Sequence, residues 1–186
     1  MNILKFLGAG ALMLSLAAGS AFAQDKAAKQ AEINKATAAA LNKFYAAKPE
    51  LKTAVSKAPG YAVFTTYGIS FIFGGAGGKG VVHNNKTNNN TYMEMASGSV
   101  GAQIGASESD VLFIFKTEAA MNEFVNTGWT AGGGATAAAG AGGKSTGGGV
   151  GGNPSDTVDS FTMTKTGLEA GVAIAGSKYW KDKELN

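Results

Sequence analysis

The chain contains no cysteine and no arginine, and its only histidine is His83. Without cysteine it forms no disulfide bond, and lipidation at a cysteine beside a bacterial cleavage site is excluded. Arginine is preferred for paired hydrogen bonds to phosphates and bases, so its absence argues against a nucleic-acid partner. One histidine and no cysteine provide too few of the side chains that usually bind zinc. We therefore expect no metal and no cofactor.

Long apolar runs are also absent beyond Ala23, so the sequence predicts no membrane-spanning helix there. Before it, a basic start at Lys5, an apolar stretch over residues 6–18 and the A-x-A pattern at 21–23 are typical of a secretory signal peptide. The apolar stretch is short for the alternative, an uncleaved anchor. We predict cleavage after Ala23 and export, unlipidated, to the periplasm or the cell exterior.

We predict an N-terminal helical segment over residues 24–58, because these residues lack glycine and are rich in Ala, Lys, Gln and Glu. One apolar stripe at helical spacing consists of Ile33, Thr37, Ala40, Leu41 and Phe44. Pro49 is expected to end the first helix near Lys48 and to open a short second one. The Pro59-Gly60 pair is expected to stop the second helix.

Residues 59–186 predict a glycine-rich β domain with one inserted helix, so that 24–186 forms a single domain. Candidate strands are residues 61–65, 69–73, 79–83, 91–96, 100–106, 111–115, 130–139, 160–164 and 168–175. Thr117 is a candidate N-cap for a helix over 117–126, and Gly128 is a candidate stop for it. Residues 181–186 are predicted to form a charged tail. The predicted fold class is α+β: a curved, barrel-like antiparallel sheet with an N-terminal helix and one inserted helix.

Three features could suggest catalysis or nucleotide binding. Residues 75–80 match G-x-G-x-x-G, but a strand and turn follow instead of the helix that a dinucleotide site needs, which favours a glycine bend or close backbone approach. Glu108 and Asp110 precede a buried strand, where a turn or an ion pair with lysine is the better interpretation. His83 is expected in an exposed polar turn. We predict no catalytic residue and no enzyme activity.

Five segments, four of which contain glycine, occur along the chain in this order: residues 60–64 (Gly-Tyr-Ala-Val-Phe), 74–81 (Gly-Gly-Ala-Gly-Gly-Lys-Gly-Val), 97–106 (Ser-Gly-Ser-Val-Gly-Ala-Gln-Ile-Gly-Ala), 110–115 (Asp-Val-Leu-Phe-Ile-Phe) and 167–172 (Gly-Leu-Glu-Ala-Gly-Val). Taken together and in order, they resemble the SYLF family of lipid-binding domains. The resemblance implies a lipid-associated, non-enzymatic domain, linked in eukaryotic relatives to phosphoinositides, membranes and actin. The family often has arginine where this chain has Ala76, which weakens any implied phosphoinositide binding, whereas Lys79 is retained.

Together these observations predict a module that docks on anionic phospholipid or a membrane surface. The lysines assigned to this docking are Lys35, Lys43, Lys48, Lys52, Lys57 and Lys79. Phe44 and Tyr45 are assigned a shallow apolar contact. The alternative is a structural or protein-binding component of the cell envelope without lipid affinity. The sequence leaves the oligomeric state open.

Overall fold

The computed structural model describes residues 11–67, 75–98, 109–131, 157–164, 167–170 and 177–186. These residues contain three helices: α1 (Ala11–Ala47), α2 (Glu50–Lys57) and α3 (Glu118–Thr127). They also contain eight strands: β1 (Gly60–Tyr67), β2 (Gly75–Asn84), β3 (Asn89–Gly98), β4 (Asp110–Phe115), β5 (Trp129–Ala131), β6 (Val158–Thr164), β7 (Gly167–Ala170) and β8 (Ser177–Lys181).

The break between α1 and α2 lies at Pro49, as the sequence predicts. Pro49 has helical backbone angles and precedes the first residue of α2, where a missing N–H costs nothing. At the other end, Ala58 is extended, and the Asn85 side chain donates hydrogen bonds to the Val55 and Ala58 carbonyls at 2.7 and 2.8 Å. Helix α2 is thereby fixed to the turn between β2 and β3.

The inserted helix α3 has the two caps expected from its sequence. The Thr117 hydroxyl accepts a hydrogen bond from the Ala120 N–H at 3.2 Å, so it satisfies one of the otherwise unpaired N–H groups of the first turn. Gly128 follows the last turn at φ 72°, and its N–H donates to the Phe124 carbonyl. The side chains of Met121 and Phe124 are buried against the sheet.

All eight strands pair antiparallel in one sheet with the order β5-β8-β3-β2-β1-β4-β6-β7. Strands β8 and β4 have three strands between them, which in a flat sheet would separate them by about 19 Å. The Tyr179 ring of β8 nevertheless lies 5.3 Å from the Phe113 ring of β4. The sheet is therefore curled into a half-barrel, and the predicted α+β class with a curved antiparallel sheet is confirmed.

Each face of the sheet has its own hydrophobic core. The concave face, covered by α3, buries an aromatic and methionine cluster that includes Phe64, Phe113 and Tyr179. The convex face is covered by α1 and α2 and buries Phe44 and Leu51 against β1 and β4. Strand β4 contributes to both cores, so all six of its residues are buried, as its apolar sequence predicts. Each fully buried Phe or Leu stabilises the fold by about 1.5–3 kcal/mol.

The glycines of β2 lie within regular sheet and form no bulge. The pairing of β2 with β1 and with β3 runs without interruption in the residues described. Added β-carbons at Gly78 and Gly80 would collide with Met95 and Phe64, respectively. The added β-carbons would also lie 2.5 Å from the Thr65 and Val63 carbonyl oxygens of β1, so these positions provide the close backbone approach expected of glycine here.

The C-terminus corrects the prediction of a charged tail. Ser177–Lys181 forms β8, which pairs with both β3 and β5. Beyond it, Asp182 and Leu185 are buried. The composition of residues 181–186 did not indicate this packing, because Leu185 is the only apolar residue in a highly charged segment.

Several predicted strands lie wholly or partly outside the described residues. These are 69–73, 100–106, most of 130–139 and the second half of 168–175. The other predicted strands are confirmed, and the observed ones begin up to four residues earlier.

Candidate functional site

Three of the lysines assigned to surface docking lie exposed on the helical layer. Lys35 is on α1, and Lys52 and Lys57 are on α2. Among the residues that the structure describes, no carboxylate forms an ion pair with any of the three. Their positive charges are therefore available to a partner in solution.

Lys43 is close to the sheet and binds Asp110, the first residue of β4. Its Nζ lies 2.9 Å from the Asp110 carboxylate, whose side chain is 10% exposed against 60% for Lys43. This pair agrees with the interpretation of Asp110 as a lysine partner, whereas Glu108 lies outside the described residues. The Lys43 charge stabilises a nearly buried carboxylate, so it is less available for docking.

Lys48 lies in the connection between α1 and α2. Its Nζ is 3.7 Å from a Glu50 carboxylate oxygen and 5.8 Å from the centre of the Phe161 ring on β6. A cation over an aromatic ring is stabilised by about 0.5–1 kcal/mol at an exposed site. Lys48 therefore belongs to the contact between the helices and the sheet as well as to the surface.

Lys79, which the sequence assigns to docking, does not present a free charge in this structure, and its part in docking stays a prediction. Its Nζ lies 3.0 Å from Asp182 and 3.3 Å from Glu94, and the Trp180 indole N–H donates to the same Glu94 at 2.9 Å. Partial burial acts to lower the pKa of Lys79, but the bonds to Asp182 and then Glu94 outweigh it and raise the pKa overall. Two carboxylates thus neutralise this lysine.

Phe44 cannot supply the shallow apolar contact assigned to it while α1 is docked. Its side chain is fully buried between α1 and the strands β1 and β4. Its neighbour Tyr45 is half-buried, and burial, with a smaller effect of Tyr61, raises the pKa of Tyr45 to about 12. The apolar stripe of α1 is used for packing the domain, which leaves Tyr45 as the partly exposed aromatic group.

His83 is half-buried near the end of β2, rather than exposed in the turn. Its Nδ1 lies 2.7 Å from the Asn90 side-chain oxygen, and its ring lies 5.2 Å from that of Tyr61. In the described part of the chain, no three His, Asp or Glu side chains are grouped in a way that could hold a metal ion. The same part contains no helix with the length and apolarity needed to cross a bilayer.

Sequence reasoning missed one residue of this charged group, Asp182. Its carboxylate binds Lys79 and also accepts hydrogen bonds from the backbone N–H groups of Glu184 and Leu185 at 2.9 and 3.1 Å, so it connects Lys79 to the C-terminal segment. An aspartate that bonds the N–H groups two and three residues later is a recognised turn signal, and it could have indicated a folded C-terminus.

The fold and this surface define a class: a glycine-rich α+β domain with a curled antiparallel sheet and a lysine-bearing helical layer. Residues 96–186 match the Ysc84 family, described as Las17-binding protein actin regulator. This part of the chain is similar to the Ysc84 family, whose domain is the SYLF domain, and the predicted resemblance is confirmed.

Curated relatives come from bacteria and fungi. The chain is 32% identical over 162 residues to "Beta cell expansion factor A" of Aeromonas veronii. It is 28% identical over 138 residues to "Protein YSC84" of Saccharomyces cerevisiae, and 31% identical over 139 residues to "SH3 domain-containing protein PJ696.02" of Schizosaccharomyces pombe. These matches cover 86%, 71% and 71% of this chain, but only 60%, 30% and 32% of the relatives. The family names describe binding and regulatory proteins.

Proposed function

We propose that this protein is an exported, non-enzymatic module that docks on anionic phospholipid surfaces through lysines of its helical layer. The observation that carries the proposal is the exposure of Lys35, Lys52 and Lys57 without a carboxylate partner among the described residues. A lysine near an anionic membrane surface contributes about 1 kcal/mol. Three such lysines are enough for weak, reversible attachment that does not require insertion of a helix.

The remaining assigned residues have smaller roles in this proposal. Lys43 and Lys48 add to the positive field of the same helical layer while they keep their contacts with Asp110 and Phe161. Tyr45 supplies the shallow apolar contact, because it is the partly exposed aromatic residue among the α1 side chains that the structure describes. Export through the predicted signal peptide would bring this surface to bacterial anionic lipids such as phosphatidylglycerol and cardiolipin.

A second candidate function is protein binding in the cell envelope without lipid affinity. The family description, Las17-binding protein actin regulator, favours it, since it names a protein partner for members of the family. Docking by lysines must weaken as the ionic strength rises, because salt screens charges beyond about 8–10 Å. Salt dependence therefore separates lipid docking from a binding mode that depends on apolar contact.

The deciding experiment is co-sedimentation of the protein with vesicles of phosphatidylglycerol or of phosphatidylcholine across a salt series. We expect binding to the anionic vesicles only, with loss at high salt. The double change Lys52→Glu and Lys57→Glu should weaken binding roughly 30-fold or more, since two lysines contribute about 2 kcal/mol.

The matched control is Lys178→Glu with Lys181→Glu, which makes the same change in net charge on β8 instead of on α1 and α2. Both of these lysines are exposed. If the control weakens binding as much as the test variant, net charge alone acts and the helical layer is not the docking surface. Absence of binding to anionic vesicles at low salt would overturn lipid docking and favour a protein partner.

A further inference from the structure

The last five residues, 182–186, form a compact segment that connects the sheet to residues 24–34 of α1. We call residues 24–34 the half-helix, because they are the N-terminal half of the part of α1 that follows the predicted cleavage site. The Asp182 N–H donates to the Tyr92 carbonyl of β3 at 3.0 Å. Asn186 then returns to the same residue: its side-chain oxygen accepts the Tyr92 N–H at 2.9 Å, and its amide donates to the Tyr92 carbonyl at 2.7 Å. The segment thus closes on one residue of β3.

Asp182 holds the segment in this conformation. One carboxylate oxygen accepts the Glu184 and Leu185 N–H groups, and the other lies 3.0 Å from Lys79 Nζ. The Asp182 side chain is only 5% exposed. A buried carboxylate is tolerated only when it is paired and hydrogen-bonded, so the turn and the Lys79 contact depend on each other.

The other side of the segment binds α1. Leu185 is buried in a small cluster with Ile33 of α1 and with Val81 and Tyr92 of the sheet. Its carbonyl accepts a hydrogen bond from Gln30 at 2.7 Å, and the Asn186 carbonyl accepts one from Lys26 at 2.9 Å. One helical stripe of α1 therefore meets the segment.

This contact is important because the half-helix has little else to hold it. Over residues 24–34, Ile33 is the one buried side chain among those described. Asn34 adds two hydrogen bonds: it donates to the Tyr92 hydroxyl at 2.9 Å and accepts from the Asn90 side-chain amide at 3.2 Å. The C-terminal half of α1, in contrast, is held by the fully buried Phe44 and by the Lys43–Asp110 ion pair. Elements with few buried contacts open at a lower free energy than the core does.

We propose that residues 182–186 form a latch: while it is closed, the half-helix 24–34 is docked and Lys79 is neutralised, and its release undocks the half-helix and frees Lys79 from Asp182. The two events are coupled because Asp182 and Leu185 belong to the same turn. The proposal does not depend on membrane docking. If that function holds, a lipid phosphate that competes with Asp182 for Lys79 would favour the open state.

The test compares two variants that act on opposite sides of the latch. Leu185→Ala removes the apolar contact with α1 and leaves Lys79 and Asp182 intact. Asp182→Asn keeps a side-chain oxygen that can accept the turn N–H groups but removes the negative charge facing Lys79. The control is Lys183→Gln, because Lys183 is an exposed residue of the same segment. Circular dichroism checks that each variant is folded.

Two measurements are made on protein purified from cells that express the full chain, without vesicles: amide hydrogen exchange of α1 and the rate of Lys79 acetylation, both by mass spectrometry. We expect residues 26–34 to exchange roughly three- to tenfold faster in both variants, while residues 40–47 are unchanged. Lys79 should also be acetylated faster in Leu185→Ala, although neither member of its ion pair is altered. Lys183→Gln should behave as the unaltered chain does.

The latch is overturned if Leu185→Ala speeds exchange equally along all of α1, or if it leaves both exchange at 26–34 and Lys79 acetylation unchanged. Faster exchange at 26–34 with unchanged Lys79 acetylation would also overturn it, because the two events would then be uncoupled. Neither measurement uses lipid, so failure of vesicle binding and failure of the latch are distinguishable results.

Discussion

Gly80 of β2 and Phe64 of β1 are directly opposite each other in the antiparallel ladder, and the Phe64 ring occupies the space that a β-carbon on residue 80 would need. From this position the ring lies 4.8 Å from Tyr179 and 6.2 Å from Phe113. The glycine therefore leaves room for the Phe64 ring on the concave face, where it packs in the aromatic core.

We expect Gly80→Ala to lower the free energy of unfolding by about 1–3 kcal/mol, because the added methyl group overpacks a filled core. Urea unfolding followed by far-UV circular dichroism measures the change. The free energy of unfolding of the double variant Gly80→Ala with Phe64→Leu should fall by less than the sum of the two single decreases, since the smaller side chain leaves room for the methyl group. Strict additivity would show that Phe64 and residue 80 do not compete for space.

Two buried serines should respond in opposite ways to replacement by alanine. Among the residues that the structure describes, the Ser160 hydroxyl of β6 has no hydrogen-bond partner. Ser109 instead bonds Thr66: their hydroxyl oxygens are 2.9 Å apart, and the Ser109 N–H donates to the Thr66 hydroxyl at 2.8 Å. We expect Ser160→Ala to be neutral or stabilising by up to about 1 kcal/mol. We expect Ser109→Ala to cost about 0.5–1.5 kcal/mol, because it removes one buried hydrogen bond while the Thr66 hydroxyl keeps its bonds to the Ser109 carbonyl and N–H. Thermal unfolding of both variants checks this, and equal losses would contradict it.

The sequence predicted the elements whose signals are local. Pro49 separates the two helices, and Thr117 and Gly128 bound α3, because each acts through its own backbone or its nearest N–H groups. The curvature of the sheet was also predicted, because glycines inside strands indicate bends or close packing. What could not be predicted depends on distant partners: Lys79 is neutralised by Asp182, which is 103 residues away along the chain. A lysine in a motif is not necessarily an available charge.

The pH dependence of stability should reveal the Lys79–Asp182 pair. Burial acts to raise the pKa of Asp182, but the Lys79 bond and the Glu184 and Leu185 N–H groups outweigh it and lower the pKa overall. A carboxyl whose folded pKa is lowered contributes stability above its unfolded pKa of about 3.9, and that contribution is lost as the pH falls through the folded pKa.

We therefore expect Asp182→Asn to be less stable than the unaltered chain at pH 7 and to lose less stability on acidification below about pH 4. Urea unfolding at several pH values between 2 and 7 provides the comparison. Asp159→Asn is the control, since Asp159 pairs with Lys116 in a half-exposed ion pair that should contribute little. Identical pH profiles for the Asp182→Asn variant and the unaltered chain would contradict the assigned pair.

Substitutions at Phe44 should affect the stability of the fold, whereas substitutions at the exposed lysines of α2 should affect vesicle binding. Because Phe44 is fully buried, Phe44→Ala is expected to lower the free energy of unfolding by about 3–5 kcal/mol, and the milder Phe44→Leu should lower it by less. Affinity of the folded Phe44→Leu protein for phosphatidylglycerol vesicles should be unchanged, since the ring does not reach the surface. Lys52→Glu with Lys57→Glu should weaken vesicle binding but change the free energy of unfolding by no more than about 0.5 kcal/mol. A loss of vesicle affinity in Phe44→Leu at unchanged stability would instead show that Phe44 leaves the core to contact lipid.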